Sequence, residues 1–155
     1  MSPGERAERA GARRVAYTQG ARRKQPMNRW RDWWDQAQRD LRHATIALGA
    51  ADHDWAAFAA QQAAEKALKA LILARGGEPW GHLVTALLEA LPENVPHTTV
   101  ELESANRLDK HYIPARYPNG FASGYPAKLY TRGEAEGAIA DATRLTEFCR
   151  RHLPQ

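Results

Sequence analysis

Residues 54–74 read Asp-Trp-Ala-Ala-Phe-Ala-Ala-Gln-Gln-Ala-Ala-Glu-Lys-Ala-Leu-Lys-Ala-Leu-Ile-Leu-Ala and lead into Arg75-Gly76-Gly77. Alanine is the strongest helix former, and two adjacent glycines cannot continue a helix, so one long helix ends at about Ala74. Asp52 or Asp54 is placed to cap its start. Ala56, Ala59, Ala60, Ala63, Ala64 and Ala67 form a small face that lets a neighbouring helix approach closely. Further helices are expected on either side of it, since the periodicity is helical almost throughout from Asn28 onward.

The flanking sequence supplies them. Upstream, Trp30, Trp34, Ala37, Leu41, Ala44 and Leu48 recur at alternating spacings of three and four, one stripe of a helix that Gly49 is placed to stop. Downstream, a third helix is expected over Leu83–Leu91, ended by Pro92, and a fourth from about Thr99 to Tyr112 with Ala105, Leu108 and Tyr112 on one side. The last begins at Thr131, where Thr-Arg-Gly-Glu forms a capping box, and runs through Ala135, Ala138, Ile139, Ala142, Leu145 and Cys149. No alternating strand pattern of useful length is present. The expected fold is all-α, an up-and-down bundle of about five helices. Before the last helix lies a long loop, residues 113–130, holding Pro114, Pro118, Pro126, Gly120 and Gly124 with Tyr117, Phe121, Tyr125 and Tyr130. A loop of this length is usually functional or disordered, and its rings favour packing on the bundle.

Composition narrows the class. The 155 residues are 43% apolar and 26% charged with one cysteine, which fits one globular domain and excludes a disulfide framework or a Cys-rich zinc site. No stretch reaches the roughly 18 uncharged apolar residues of a membrane span, and no secretory h-region is present, so a cytoplasmic protein without membrane contact is expected. The net charge of +4 is unevenly spread. Residues 1–31 carry nine Arg and Lys against Glu5 and Glu8, a balance of +7, whereas the remainder carries 13 basic and 16 acidic residues, a balance of −3. The basic character therefore lies mostly in residues 1–27, with seven Arg and Lys against two Glu, expected to be a disordered, dispensable tail able at most to tether polyanions, with the bundle spanning 28–152. Cys149, between Phe148 and Arg150 in a helical pattern, reads as a packing residue. The six histidines show no ligand spacing, so no metal is expected, and no phosphate-cradling glycine loop or nucleophile elbow is present; no cofactor is implied.

Four blocks taken together resemble a known family. They are Ala59-Ala60-Gln61-Gln62-Ala63-Ala64-Glu65-Lys66-Ala67-Leu68-Lys69-Ala70-Leu71, the single His82, Leu108-Asp109-Lys110-His111-Tyr112-Ile113-Pro114-Ala115-Arg116-Tyr117-Pro118, and Tyr130-Thr131-Arg132-Gly133-Glu134-Ala135. Their order and spacing over residues 28–152 are similar to those of the small prokaryotic HEPN domains. The resemblance implies a helical bundle that pairs as a homodimer, a minimal nucleotidyltransferase as partner, and membership of a toxin and antitoxin-like module that binds nucleotide or RNA. Some relatives are metal-independent endoribonucleases with an Arg and a His near the start of a late helix. There His would move a proton at the 2′-hydroxyl or the leaving oxygen, and Arg would hold the scissile phosphate.

Candidate site residues follow. Arg107 and His111 match the catalytic pair imperfectly, with three residues between them, one fewer than the motif, although i and i+4 on a helix face the same way; solvated residues beside Asp109 are the other reading. Arg75 and His82 have six between them, across an interhelical loop. His82 is read either as a site residue or as a cap or packing group opening the third helix. Gln62, Glu65, Lys66 and Lys69 form either the polar edge of a ligand cleft or ordinary surface pairs. Arg116, a lone cation among rings and prolines, suits phosphate recognition or pins its loop by stacking, and Tyr112 or Tyr117 could stack on a base. The Trp30, Trp33, Trp34 cluster reads as core or dimer surface. A non-catalytic or weakly catalytic binding subunit is the favoured reading, with an endoribonuclease using Arg107 and His111 as the alternative.

Overall fold

The computed structural model describes residues 27–155; the tail expected over residues 1–27 lies outside them, apart from the exposed Met27. Six α-helices build the described chain: α1 (Trp30–Gly49), α2 (His53–Ala74), α3 (Val84–Glu89), α4 (Thr99–Asp109), α5 (Pro126–Leu129) and α6 (Arg132–His152), with a 3₁₀ turn at Pro118–Gly120. No strand occurs among the described residues. The bundle is all-α as expected, and the sixth helix is the single turn α5 inside the long loop.

The organising element is α2, which packs against each of the other five helices. Ala56, Ala60, Ala63, Ala64 and Ala67 are fully buried and Ala59 nearly so, joined by Leu68, Leu71 and Ile72 toward the C-terminal end. Ala37 and Ala44 of α1, Leu87 and Leu88 of α3, Leu108 of α4 and Ala142, Leu145 and Cys149 of α6 complete the core. A smaller cluster joins Ala47, Ala56 and Ala135 from α1, α2 and α6, with Leu48 against it. Cys149 is fully buried and burial pushes its thiol far above the ordinary range, so it packs rather than reacts.

Helix ends differ from the expectation at four places. The stop after α1 is not made by Gly49, the last helical residue, but by Ala51, whose φ of 61° is left-handed; Ala51 N–H donates to Leu48 O (3.0 Å) and Asp52 N–H to Ala47 O (2.9 Å). That is a glycine-type stop made with a methyl group present. Asp52 stands at the α2 cap position without a side-chain bond, and Asp54 is buried in the first turn. The α3 helix is only six residues long, because Leu83 is extended and Asp109 reaches over from α4 to accept from the N–H groups of Val84 (2.6 Å) and Thr85 (3.2 Å). Finally, α4 ends at Asp109 rather than Tyr112, and the chain continues as tight turns, with His111 N–H on Leu108 O (3.0 Å) and Arg116 N–H on Ile113 O (3.0 Å). Asp109 is thus a remote cap, not a neutralising neighbour of Arg107 and His111.

Gly76-Gly77 end α2 as expected: Gly76 has φ +83°, and Gly77 N–H donates to Ile72 O at 2.9 Å. The Thr131/Glu134 capping box opens α6, and a second box, Thr98/Glu101, opens α4. The long loop is ordered by packing. Tyr130 is buried, and Phe121 meets it edge-on at 6.3 Å and packs on the core. Gly120 lets the 3₁₀ turn lie against Pro114, since a Cβ there would sit 2.9 Å from Pro114 Cα. Tyr117 and Tyr125 remain exposed.

Two substitutions test this packing. A left-handed residue with a Cβ costs about 1–2 kcal/mol, and glycine's larger unfolded-state entropy takes back up to about 1, so Ala51→Gly is expected to stabilise by about 0.5 kcal/mol. Ala56→Leu adds volume where three helices meet at alanine and is expected to cost about 1–3 kcal/mol. Urea denaturation with an unchanged slope reads both, and a neutral Ala56→Leu contradicts the close approach.

Candidate functional site

The sequence candidates separate into two clusters that share no side-chain bond. The first lies between α4 and α6. Asp141 follows Ala138 by three residues and precedes Leu145 by four, which puts it on the buried stripe of α6, where it is 5% exposed. A carboxylate there requires donors. Arg107 supplies two, Nε to Oδ2 at 2.9 Å and Nη2 to Oδ1 at 2.8 Å, and Arg144 Nη1 adds a third at 3.1 Å while also reaching the buried Ser104 Oγ at 2.8 Å. This two-pronged pairing raises the Arg107 pKa further. His111 lies one turn beyond α4, with Nδ1 2.7 Å from the Tyr130 hydroxyl and the two rings 5.5 Å apart. Burial pushes its imidazole below the ordinary range, against the opposing pull of Glu134 and Asp141, and burial pushes the Tyr130 phenol upward. Arg107, Lys110, His111, Glu134, Asp141 and Arg144 line a shallow depression of about 450 Å³. The two candidates thus share one depression, yet the guanidinium face that would grip a phosphate is already spent on Asp141.

The second cluster is built on α2. Gln61, Glu65 and Lys69 recur every four residues on a helix buried nearly all round, and Glu65 is only 4% exposed. Three of its four hydrogen-bond partners donate, the Lys69 ammonium and the two side-chain amides of Gln61 and Gln62, and the fourth is a ring nitrogen of His82. Lys69 Nζ and His82 Nδ1 each lie 3.0 Å from Oε1, and the amides of Gln61 and Gln62 each lie 3.1 Å from Oε2. Gln61 Nε2 also donates to the His82 carbonyl at 3.1 Å. The His82 ring stacks on Tyr112, centroids 5.1 Å apart and planes 16° apart. Arg116 joins the same aromatic surface: its guanidinium lies 4.3 Å from the Phe58 ring, 4.7 Å from Tyr112 and 5.0 Å from Tyr117, while Nε and Nη2 donate to the Tyr112 carbonyl at 2.9 and 2.7 Å.

These contacts bear on the readings left open by the sequence. Arg116 is stacked among three rings and spends two donors on the Tyr112 carbonyl. Glu65 and Lys69 are not a surface pair but the heart of a buried network that reaches His82 across the interhelical loop. His82 is held by its ring, its backbone carbonyl and a stacked neighbour. Lys66 is turned to α1, where it pairs with Asp40, and no described bond joins it to His82 or Arg116. Arg75 does not meet His82 either; it donates to the His152 carbonyl at 2.8 Å. Trp34 packs on the core, while Trp30 and Trp34 border a second depression of about 370 Å³ beside Arg31 and Arg150. Sequence reasoning passed over Asp141 and Tyr130 as partners. Asp141 had a usable signal, a carboxylate on an apolar stripe; Tyr130 had none, since its meeting with His111 depends on the loop path.

Among the described residues no group of three or more His, Cys, Asp or Glu side chains is placed to hold a metal ion, and no helix is long and apolar enough to cross a membrane.

Comparison with known proteins places these clusters in a family. The family profile described as HEPN domain matches residues 30–152. Three solved structures are similar. TT1696 from Thermus thermophilus is 51% identical, with a TM-score of 0.80 over 82% of this chain and 100% of that one. ST0689, an archaeal HEPN homologue, is 35% identical, with a TM-score of 0.68 over 79% of this chain and 95% of that one. A HEPN domain protein from Thermotoga maritima, TM0613, is 34% identical, with a TM-score of 0.64 over 77% and 95%. No curated protein matches the chain. With a profile covering both clusters and relatives above 30% identity along nearly their whole length, this chain belongs to the HEPN domain family.

Proposed function

We propose that this chain is a cytoplasmic, non-catalytic HEPN subunit that binds a nucleotide or RNA, pairs as a homodimer and acts with a minimal nucleotidyltransferase partner in a toxin and antitoxin-like module. The observation that carries the reading is the occupation of Arg107. Both of its bonded nitrogens face Asp141, so gripping a scissile phosphate would require giving up a bidentate ion pair on a buried carboxylate. His111 is partly buried, with Nδ1 already engaged by the Tyr130 hydroxyl at 2.7 Å, so one of its two ring nitrogens is committed to the long loop. The face formed by His82, Tyr112, Arg116 and Tyr117 instead offers ring surface beside a cation, the chemistry that holds a base.

The alternative, a metal-independent endoribonuclease using Arg107 and His111, draws support from one feature. Both residues line the same depression together with Lys110 and Arg144.

Purified protein incubated with single-stranded RNA and a chelator separates the two. The binding reading expects intact RNA and a nucleotide-induced rise in melting temperature. Arg116→Ala should abolish that rise by releasing the Tyr112 turn, while His111→Ala should leave it mostly in place. Chelator-resistant cleavage that falls by about 10²- to 10⁴-fold in His111→Ala would establish the nuclease instead. Sedimentation tests the pairing: a dimer is expected at tens of micromolar, and a monomer at that concentration removes the homodimer.

A further inference from the structure

We propose that His82, oriented by Glu65, is the base-reading residue of the nucleotide site, and that it accepts a hydrogen bond from an N–H on the edge of an amino-bearing nucleobase such as adenine. This rests on the nucleotide-binding reading and adds to it the ligand's chemistry and the group that recognises it.

The inference starts from an imbalance in the fold. A carboxylate at 4% exposure inside an alanine-rich helix is a poor choice for packing alone, because an apolar side chain there would carry no desolvation cost. Its four polar partners offset that cost, and one of them, His82, belongs to no helix. It sits after Gly81, whose φ is +84°, and before α3 begins at Val84. A loop residue in this position is ordinarily mobile. Here three restraints converge on it: the 3.0 Å ring bond to Glu65, the 3.1 Å bond from Gln61 to its carbonyl, and the flat stack on Tyr112. The side chain nevertheless stays 58% exposed. The ring is therefore fixed in direction while open to solvent, which is the arrangement of a recognition group rather than a core histidine.

Its chemistry follows from the company of Glu65. Oε1 already accepts from Lys69 and Oε2 from two amides, so Glu65 acts as an acceptor at both oxygens and the His82 Nδ1 donates. In the neutral ring this leaves Nε2 with its lone pair, on the ring edge away from Glu65. That atom seeks a donor. The rings nearby suit a planar ligand: Tyr112 stacked on the imidazole, Tyr117 with its ring 5.0 Å from the Arg116 guanidinium, and Trp80, two residues upstream along the chain and 67% exposed. A base with an amino group meets both demands, ring stacking and an edge N–H. Lys69, tied to Glu65 and 5.4 Å from the Trp33 ring, completes the charged surroundings and keeps the carboxylate in its accepting role.

Calorimetric titration of the full chain with adenosine 5′-monophosphate and with purine riboside 5′-monophosphate, which lacks only the 6-amino group, tests the proposal. The unsubstituted protein is expected to prefer the adenine nucleotide by about five-fold, the ratio one neutral hydrogen bond sustains. His82→Phe, which keeps a ring to stack on Tyr112 but removes the acceptor, should bring the two ligands to equal affinity. Because Glu65→Gln acts in the core, its readout is supplemented by long-range ¹H–¹⁵N spectra of the imidazole: the unsubstituted protein should show the proton on Nδ1, and Glu65→Gln should mix the two tautomers. Adenosine monophosphate binding that is unchanged in His82→Phe overturns the role of His82 and leaves the nucleotide-binding reading standing. A proton resident on Nε2 also overturns it, whatever the ligand does. Failure of the unsubstituted protein to bind either nucleotide overturns the role of His82 together with the mononucleotide-binding reading.

Discussion

Everything in this bundle depends on α2 being surrounded. A helix that touches five others must present small side chains over much of its circumference, and alanine meets that demand without the backbone entropy that glycine would add. The alanines let neighbouring helices come close, and the larger Leu68, Leu71 and Ile72 add bulk to the same core. Once α2 is enclosed, any polar group on it must be satisfied by protein, because water is excluded from most of its surface. Gln61 and Glu65 are the two polar residues most deeply caught, and their bonding needs determine the position of the loop carrying His82.

The same physical rule operates at Asp141 with a different result. Asp141 and Glu65 are both carboxylates on stripes otherwise given to the core, and each gathers cationic or amide donors. The donors of Asp141 come from helices, Arg107 on α4 and Arg144 on α6, so the network ties two walls of the bundle together. Glu65 gathers two amides and a lysine from its own helix and one group from a loop. Its surplus interaction therefore acts outward, on His82. A buried ion pair is weak evidence for stability, but it is good at fixing geometry, and here one network fixes helices while the other fixes a ring at the surface.

Much of this was legible in the sequence. The spacing of Trp30 through Leu48, the alanines of α2, the glycine pair at 76–77 and the Thr131/Glu134 box give four of the helix boundaries within a residue or two. The errors came where tertiary contacts override local signals. Ala51 takes a left-handed conformation that glycine usually supplies, Asp109 caps a helix 25 residues upstream, and α4 stops at Asp109 as its chain turns toward Pro114. The sequence singled out Arg107, His111, Glu65 and His82, yet it could not say that Arg107 faces Asp141 or that Glu65 reaches His82. Both are contacts across elements, separated by 34 and 17 residues, and no local periodicity encodes them. The family resemblance supplied the fold and the membership, whereas the division of labour between the two clusters comes only from side-chain geometry.

The central claim is that the ligand face of this HEPN protein lies at His82 and Tyr112 while Arg107 and His111 hold α4, α6 and the long loop in place. Nuclear magnetic resonance titration with adenosine 5′-monophosphate tests it most directly, since backbone and ring signals report both faces in one experiment. Shifts concentrated at Trp80, His82, Tyr112 and Tyr117, with the signals of Arg107, Lys110, His111 and Arg144 unmoved, are the predicted result. Shifts concentrated in the second group would contradict the account.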